Sequence, residues 1–192
     1  MRVIATRHGV KEYTADFIEG FAWKCFDEKE EDPVRILYYD CLPDKTAYRR
    51  PISGKEYKST TEALWEDNLP RRKLFAVRLG SKVRFRGWMR TDWSRPKGNL
   101  LDSDFMPDYV QKGVDMRIGL DMATFSYEKT AERIILVTGD TDFIPAMKMV
   151  RRASLQIILV QLLTPSRIWS LLPHADIVRK VDFSVNQQIV HG

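Results

Sequence analysis

The stretch RIILVTGDTDFIPAMKMVRR, residues 133–152, restricts the fold more than any other part of the chain. Its opening RIILVT, 133–138, has a continuous apolar centre, the pattern of a strand buried on both faces of a parallel sheet. The run ends at once in Gly139-Asp140-Thr141-Asp142. Phe143, Met147 and Val150 then recur at i, i+4 and i+7, which predicts a helix over 143–152. Pro145 falls in its first turn, where a missing N–H costs nothing. LQIILVQ, 155–161, reads as a second buried strand. Strand, helix and strand with continuous apolar strands imply a parallel α/β sheet covered on both faces. Ligand sites in such sheets lie at the carboxyl ends of the strands.

The rest of the chain fits that frame. TADFIEGFAWKCF, 14–26, puts Phe17, Ile18, Phe21, Ala22 and Cys25 on one helical stripe, with Thr14 as N-cap. DEKEEDP, 27–33, is an acidic connector, and VRILYY, 34–39, is a strand closed by Asp40-Cys41-Leu42-Pro43. Residues 44–58 read as a loop and 59–68 as a helix, while LFAVRLGSKVRFRGWMR, 74–90, reads as two strands around Gly80-Ser81. Residues 91–110, with Pro96, Gly98 and Pro107, read as an irregular insertion. Val114, Ile118, Met122 and Phe125 form the stripe of a helix over 113–127. A short helix at 165–172 and a last strand at 177–183 complete one domain spanning 1–192.

No segment approaches the roughly 18 consecutive apolar residues of a membrane helix, and MRVIATRHGVKEY has no apolar core of a signal peptide. A cytoplasmic location, with no membrane partner, is the expectation. Cys25 and Cys41 have no Cys or His cluster around them and read as small buried apolar residues. His8, His174 and His191 are scattered and suggest no catalytic grouping. A net charge of +5 permits an anionic partner without requiring one.

The acids are the candidates for chemistry. Asp142 directly precedes a helix and could cap it; Asp140 could shape the turn with its side chain; Asp115 could cap the helix it opens. Asp121 lies six residues on, on a different face. If Asp115, Asp140 and Asp142 instead face one cleft, like charges so close need a cation. Ligation by oxygen alone suits Mg2+ or Mn2+. Asp40 ends another strand. Lys112, three residues before Asp115, could hold a phosphate or be a solvated lysine. Arg71, Arg72, Lys73, Arg78, Lys82, Arg84, Arg86 and Arg90 gather with Phe85, Trp88 and Trp93. That alternation either binds single-stranded nucleic acid by charge and stacking or packs its aromatic face inward. Arg151 and Arg152 add a basic pair at the end of the 143–152 helix.

The order Tyr38-Tyr39-Asp40-Cys41, AVRLG (76–80), QKGVDMRIGLDMA (111–123) and LVTGDTDFIPAMKMVRR (136–152) resembles the NYN domain family of PIN-like nucleases, the LabA-like group included. The resemblance spans about 14–183. It implies a three-layer α/β/α fold and metal-dependent cleavage of RNA. By resemblance Asp115, Asp140 and Asp142 take the metal-binding positions and Lys112 the family's lysine. Thr138 stands where a serine is usual, and Asp121 matches a further acidic position. The family's first strand ends in Asp-Gly, and its Asp is a metal ligand. Two alignments remain for this departure. Either RVIAT (2–6) is that strand, with Arg7 in place of the Asp, or MRVIATRHG is the helix that follows it and the strand itself is missing. Both remove one ligand, so metal affinity should fall. The second also leaves sheet edges open to another chain, a route to a homo-oligomer. The alternative to a ribonuclease is a domain that binds RNA or protein without cutting. No Gly-rich phosphate loop supports a Rossmann-like nucleotide site.

Overall fold

The computed structural model describes residues 14–60, 68–81, 83–94, 96–161 and 168–181. The initial segment, most of the 59–68 helix, Lys82, much of the 165–172 helix and the end of the 177–183 strand lie outside them.

Helix α1, Ala15–Lys24, starts where Thr14 accepts a hydrogen bond from the Phe17 N–H at 3.2 Å. Strand β1 is Ile36–Asp40, and the short strands β2, Tyr48–Arg49, and β3, Glu56–Tyr57, form an antiparallel pair inside the stretch expected to be a loop. Strand β4, Phe75–Leu79, runs parallel to β1 with Tyr39 opposite Arg78 and Asp40 opposite Leu79. Strand β5, Arg84–Arg90, pairs antiparallel with β6, Phe105–Val110. Helix α2 is Val114–Glu128, β7 is Arg133–Leu136, α3 is Ile144–Arg152, β8 is Gln156–Gln161 and β9 is Ile177–Lys180. Strands β7, β8 and β9 form a parallel sheet in that order.

The apolar strand at 156–161 is the central one: Ile157, Ile158, Leu159 and Val160 are fully buried. Alternate residues serve opposite faces. Ile134, Leu136, Ile157 and Leu159 pack with Met122 of α2 and with Phe143, Met147 and Val150. Ile135 and Val160 pack with Phe21 and Cys25 of α1. The same helix lays Ala15 and Ile18 on Ile36, Tyr38, Phe75 and Val77 of β1 and β4. One helix thus spans both parallel sheets, and the fold is α/β.

The insertion reading of 91–110 needs correcting. Only 91–104 is irregular, with 3-10 turns at Lys97–Asn99 and Asp102–Asp104. Residues 105–110 are strand β6. Pro107 argued against a strand, but in a two-stranded ladder one edge of β6 has no ladder to complete, so a residue without an N–H is tolerated there.

Candidate functional site

Three turns carry the acids Asp40, Asp115 and the pair Asp140 and Asp142. At the end of β1, Asp40 accepts a hydrogen bond from the Cys41 N–H at 2.8 Å through Oδ1, and its carbonyl accepts from the Gly80 N–H at 2.7 Å. Next, the Ser81 N–H donates to the Lys112 carbonyl at 2.9 Å, which draws the Lys112–Asp115 turn onto the end of β4. Gly80 makes this approach possible. A Cβ there would lie 2.8 Å from Val114 Cγ2, 2.9 Å from Cys41 Sγ and 2.9 Å from the Lys112 carbonyl oxygen. Gly113, with φ of 81°, turns the chain into α2, whose first turn has no side-chain cap. Asp115 therefore does not cap the helix; it sits exposed in the first turn. Burial pushes the Cys41 thiol pKa up, and the charges of Asp40 and Asp115 push the same way. Both carboxylates thus act on one buried sulfur.

At the end of β7, Asp140 caps a 3-10 turn, Thr141–Phe143, that leads into α3. Its Oδ1 accepts from the Asp142 N–H at 2.9 Å, and its own N–H donates to Thr138 Oγ1 at 3.1 Å. Of the two acids it is Asp140, not Asp142, that caps. Asp142 is exposed, and its carboxylate is not used by the turn. Helix α2 touches this turn. Among the described residues, no three His, Cys, Asp or Glu side chains gather closely enough to hold a metal ion.

Asp121 points elsewhere. The Tyr39 hydroxyl donates to its Oδ2 at 2.7 Å, and Arg78 Nε lies 3.5 Å from the same oxygen. Sequence reasoning placed Tyr39 and Gly80 in motifs and Arg78 in a basic group, but not in these contacts, because each is an approach between distant segments.

The basic residues do not form one cluster: Arg72 pairs with Asp16 and Glu19, Arg78 approaches Asp121, and Arg90 lies over Trp93. Arg84, Phe85, Arg86, Val110 and Lys112 line an open depression of about 470 Å3 beside the Lys112–Asp115 turn. A bulge in β5 sets Phe85 opposite Tyr109 and Gly87 opposite Asp108, so Arg86 is the extra residue. The bulge lets Phe85 and Trp88, three apart, share a face. Phe85 stacks on Tyr48 with centroids 3.9 Å apart, and Trp88 meets Tyr57 edge-on at 5.2 Å and donates Nε1–H to the Arg49 carbonyl at 2.8 Å. The aromatic face of β5 is packed, as the second of the two sequence readings had it. Arg151 and Arg152 do not join the acids. They end α3, 9 residues long, and so lie roughly 13 Å from the turn that starts it. There Arg151 Nε pairs with Asp176 at 2.9 Å.

A family model described as "NYN domain" matches residues 45–178, more than half of the chain. No curated protein and no solved structure matches the chain.

Proposed function

The chain belongs to the NYN domain family, and from that premise we propose that it is a divalent-metal-dependent ribonuclease with a three-layer PIN-like architecture, cutting single-stranded RNA. What supports this most is the position of the acids. Asp40 ends β1, Asp115 opens α2 beside the end of β4, and Asp140 and Asp142 follow β7. All stand where ligand sites of parallel α/β sheets form.

The donor chemistry fits a hard cation. Asp115, Asp140 and Asp142 offer carboxylate oxygen only. Mg2+ and Mn2+ accept one or two carboxylates, with water and substrate phosphate completing the shell. A cation held by Asp140 and Asp142, with Asp115 in support, would supply an activated water and charge stabilisation at the phosphorus. The residues themselves do the rest. The Asp142 N–H holds the Asp140 carboxylate, Thr138 Oγ1 holds the Asp140 backbone N–H, and the Lys112 ammonium would offset charge on the phosphate.

One observation favours a second reading, a domain that binds RNA without cutting it. Among the described residues, Asp115, Asp140 and Asp142 form no closed metal-binding group. The decisive test is cleavage of a labelled single-stranded RNA with Mn2+, with EDTA, and by Asp140→Asn. Cleavage that needs both metal and Asp140 supports the nuclease. RNA bound but uncut under every condition supports the binding domain.

A further inference from the structure

We propose that the depression lined by Arg84, Arg86 and Lys112 seats backbone phosphates of the RNA and recognises charge without reading base identity. This rests on the chain being an RNA-acting domain and names how it holds its substrate.

The register places the seat. Arg84 lies opposite Val110, the last residue of β6, two before Lys112. The base of the β5–β6 ladder therefore abuts the turn that carries Lys112 and Asp115, and the depression opens between them. Arg84 and Arg86 are both exposed because the bulge turns Arg86 out of the ladder while Phe85 faces in. Of these three cations, Arg86 has Asp108 at 3.7 Å; among the described residues neither Arg84 nor Lys112 has an ion pair. Two cations with no ion pair among the described residues and a third only partly compensated, on an open surface, form an electrostatic footprint for phosphates.

Base reading would need a free ring or a buried polar edge. Phe85 and Trp88, the aromatics of this strand, are taken up by Tyr48, Tyr57 and the Arg49 carbonyl. Trp93 is 75% exposed beneath the Arg90 guanidinium, but it follows the other end of β5. A strand of 7 residues puts it roughly 20 Å from Arg84, beyond the reach of one nucleotide.

Fluorescence anisotropy with labelled short homopolymers of U, A and C, in EDTA over a salt series, tests the seat. The wild type is expected to bind all three within roughly threefold of one another. Arg84→Ala/Arg86→Ala is expected to bind about tenfold more weakly at low salt, with the log–log salt slope shallower by roughly 0.7 for each phosphate that is no longer neutralised. Arg84→Lys/Arg86→Lys keeps the charge and should keep most of the affinity. Unchanged affinity and slope in the alanine variant overturn the seat. A strong preference for one homopolymer overturns recognition by charge alone. Arginine-dependent binding without Mn2+-dependent cleavage leaves the seat standing and overturns the nuclease, while no binding by the wild type overturns both.

Discussion

Tyr39 donates its hydroxyl to Asp121 across 82 positions of sequence, at 2.7 Å, and so ties the end of β1 to the middle of α2. Arg78, opposite Tyr39 in the register, approaches the same carboxylate oxygen at 3.5 Å. Asp121 is thereby engaged in holding α2, and with it Asp115 and Lys112, on the β1–β4 pair. Tyr39→Phe removes a hydrogen bond to a charged acceptor that is partly exposed, and is expected to cost about 1–2 kcal/mol in denaturant unfolding. It should also change the alkaline limb. Burial first, then Asp121, raises the Tyr39 pKa above its usual value of 10.0. A raised tyrosine pKa favours the neutral, folded form, so stability is full below about pH 10 and falls as pH rises further. Tyr109, pushed up to about 12 mainly by burial, contributes with the same sign. The variant should therefore lose part of the alkaline fall, not all of it. Melting curves on either side of pH 10 would show it, and an unchanged limb would remove Tyr39 from the account.

Gly80 is the point where β4 can come no closer to the Lys112–Asp115 turn. In Gly80→Ala the new Cβ meets a backbone oxygen at 2.9 Å as well as two side-chain atoms. A carbonyl cannot swing aside as a side chain can, so the turn must shift. The expected cost is about 1–3 kcal/mol, typical of overpacking. Because the shift moves Lys112 and Asp115, RNA cleavage should fall further than the stability loss alone predicts when assayed well below the melting temperature. Cleavage that merely tracks the folded fraction would limit Gly80 to packing.

The elements with strong local patterns were legible in the chain. Phe143, Met147 and Val150 were expected on one stripe, and all three are buried in one core; Thr14 was expected as N-cap and is one. Both strands of the 74–90 segment were read correctly, yet they enter different sheets, since nothing local says which partner a strand will find. Strand β6 was hidden by Pro107, whose cost depends on whether its edge of the ladder is used. The acids were legible as residues, but their company was not. The engagement of Asp121 with Tyr39 and Arg78, and the distance of Arg151 from Asp140, are long-range facts that no spacing along the chain encodes.

Arg179 carries a second long-range tie. Two of its guanidinium nitrogens meet the two oxygens of Glu31 at 2.8 Å each, and it also donates to the Cys25 carbonyl. The Glu31 side chain is only 6% exposed, and Arg133 approaches it at 3.5 Å. Arg179→Ala leaves a nearly buried carboxylate with the Asp27 N–H at 2.8 Å and Arg133 at 3.5 Å, and is expected to cost about 1–3 kcal/mol. The hydrogen bond from Arg179 is the main reason the Glu31 pKa lies below its usual 4.5. A depressed carboxylate contributes stability above its unfolded pKa and loses it as pH falls. The wild type should therefore lose this contribution on acidification below about pH 5. The variant should show a flatter acid limb. An acid limb parallel to wild type would mean the pair is not what titrates.

Asp140 separates the fold from the chemistry most cleanly, because its two roles respond to different substitutions. As the cap of the 141–143 turn it needs only an acceptor for the Asp142 N–H, and asparagine serves as well as aspartate at such a position. As a metal ligand it needs the charge. Asp140→Asn should thus melt within about 0.5 kcal/mol of wild type in EDTA, whereas Asp140→Ala loses the cap and should fall by about 1 kcal/mol. Adding Mn2+ should raise the wild-type melting temperature and leave both variants where they were, since only a ligand that binds the folded state stabilises it. Thermal melts of the three proteins, each with Mn2+ and with EDTA, read both roles at once. A Mn2+ shift that survives in Asp140→Asn would take the cation away from Asp140 and leave this residue as a cap alone.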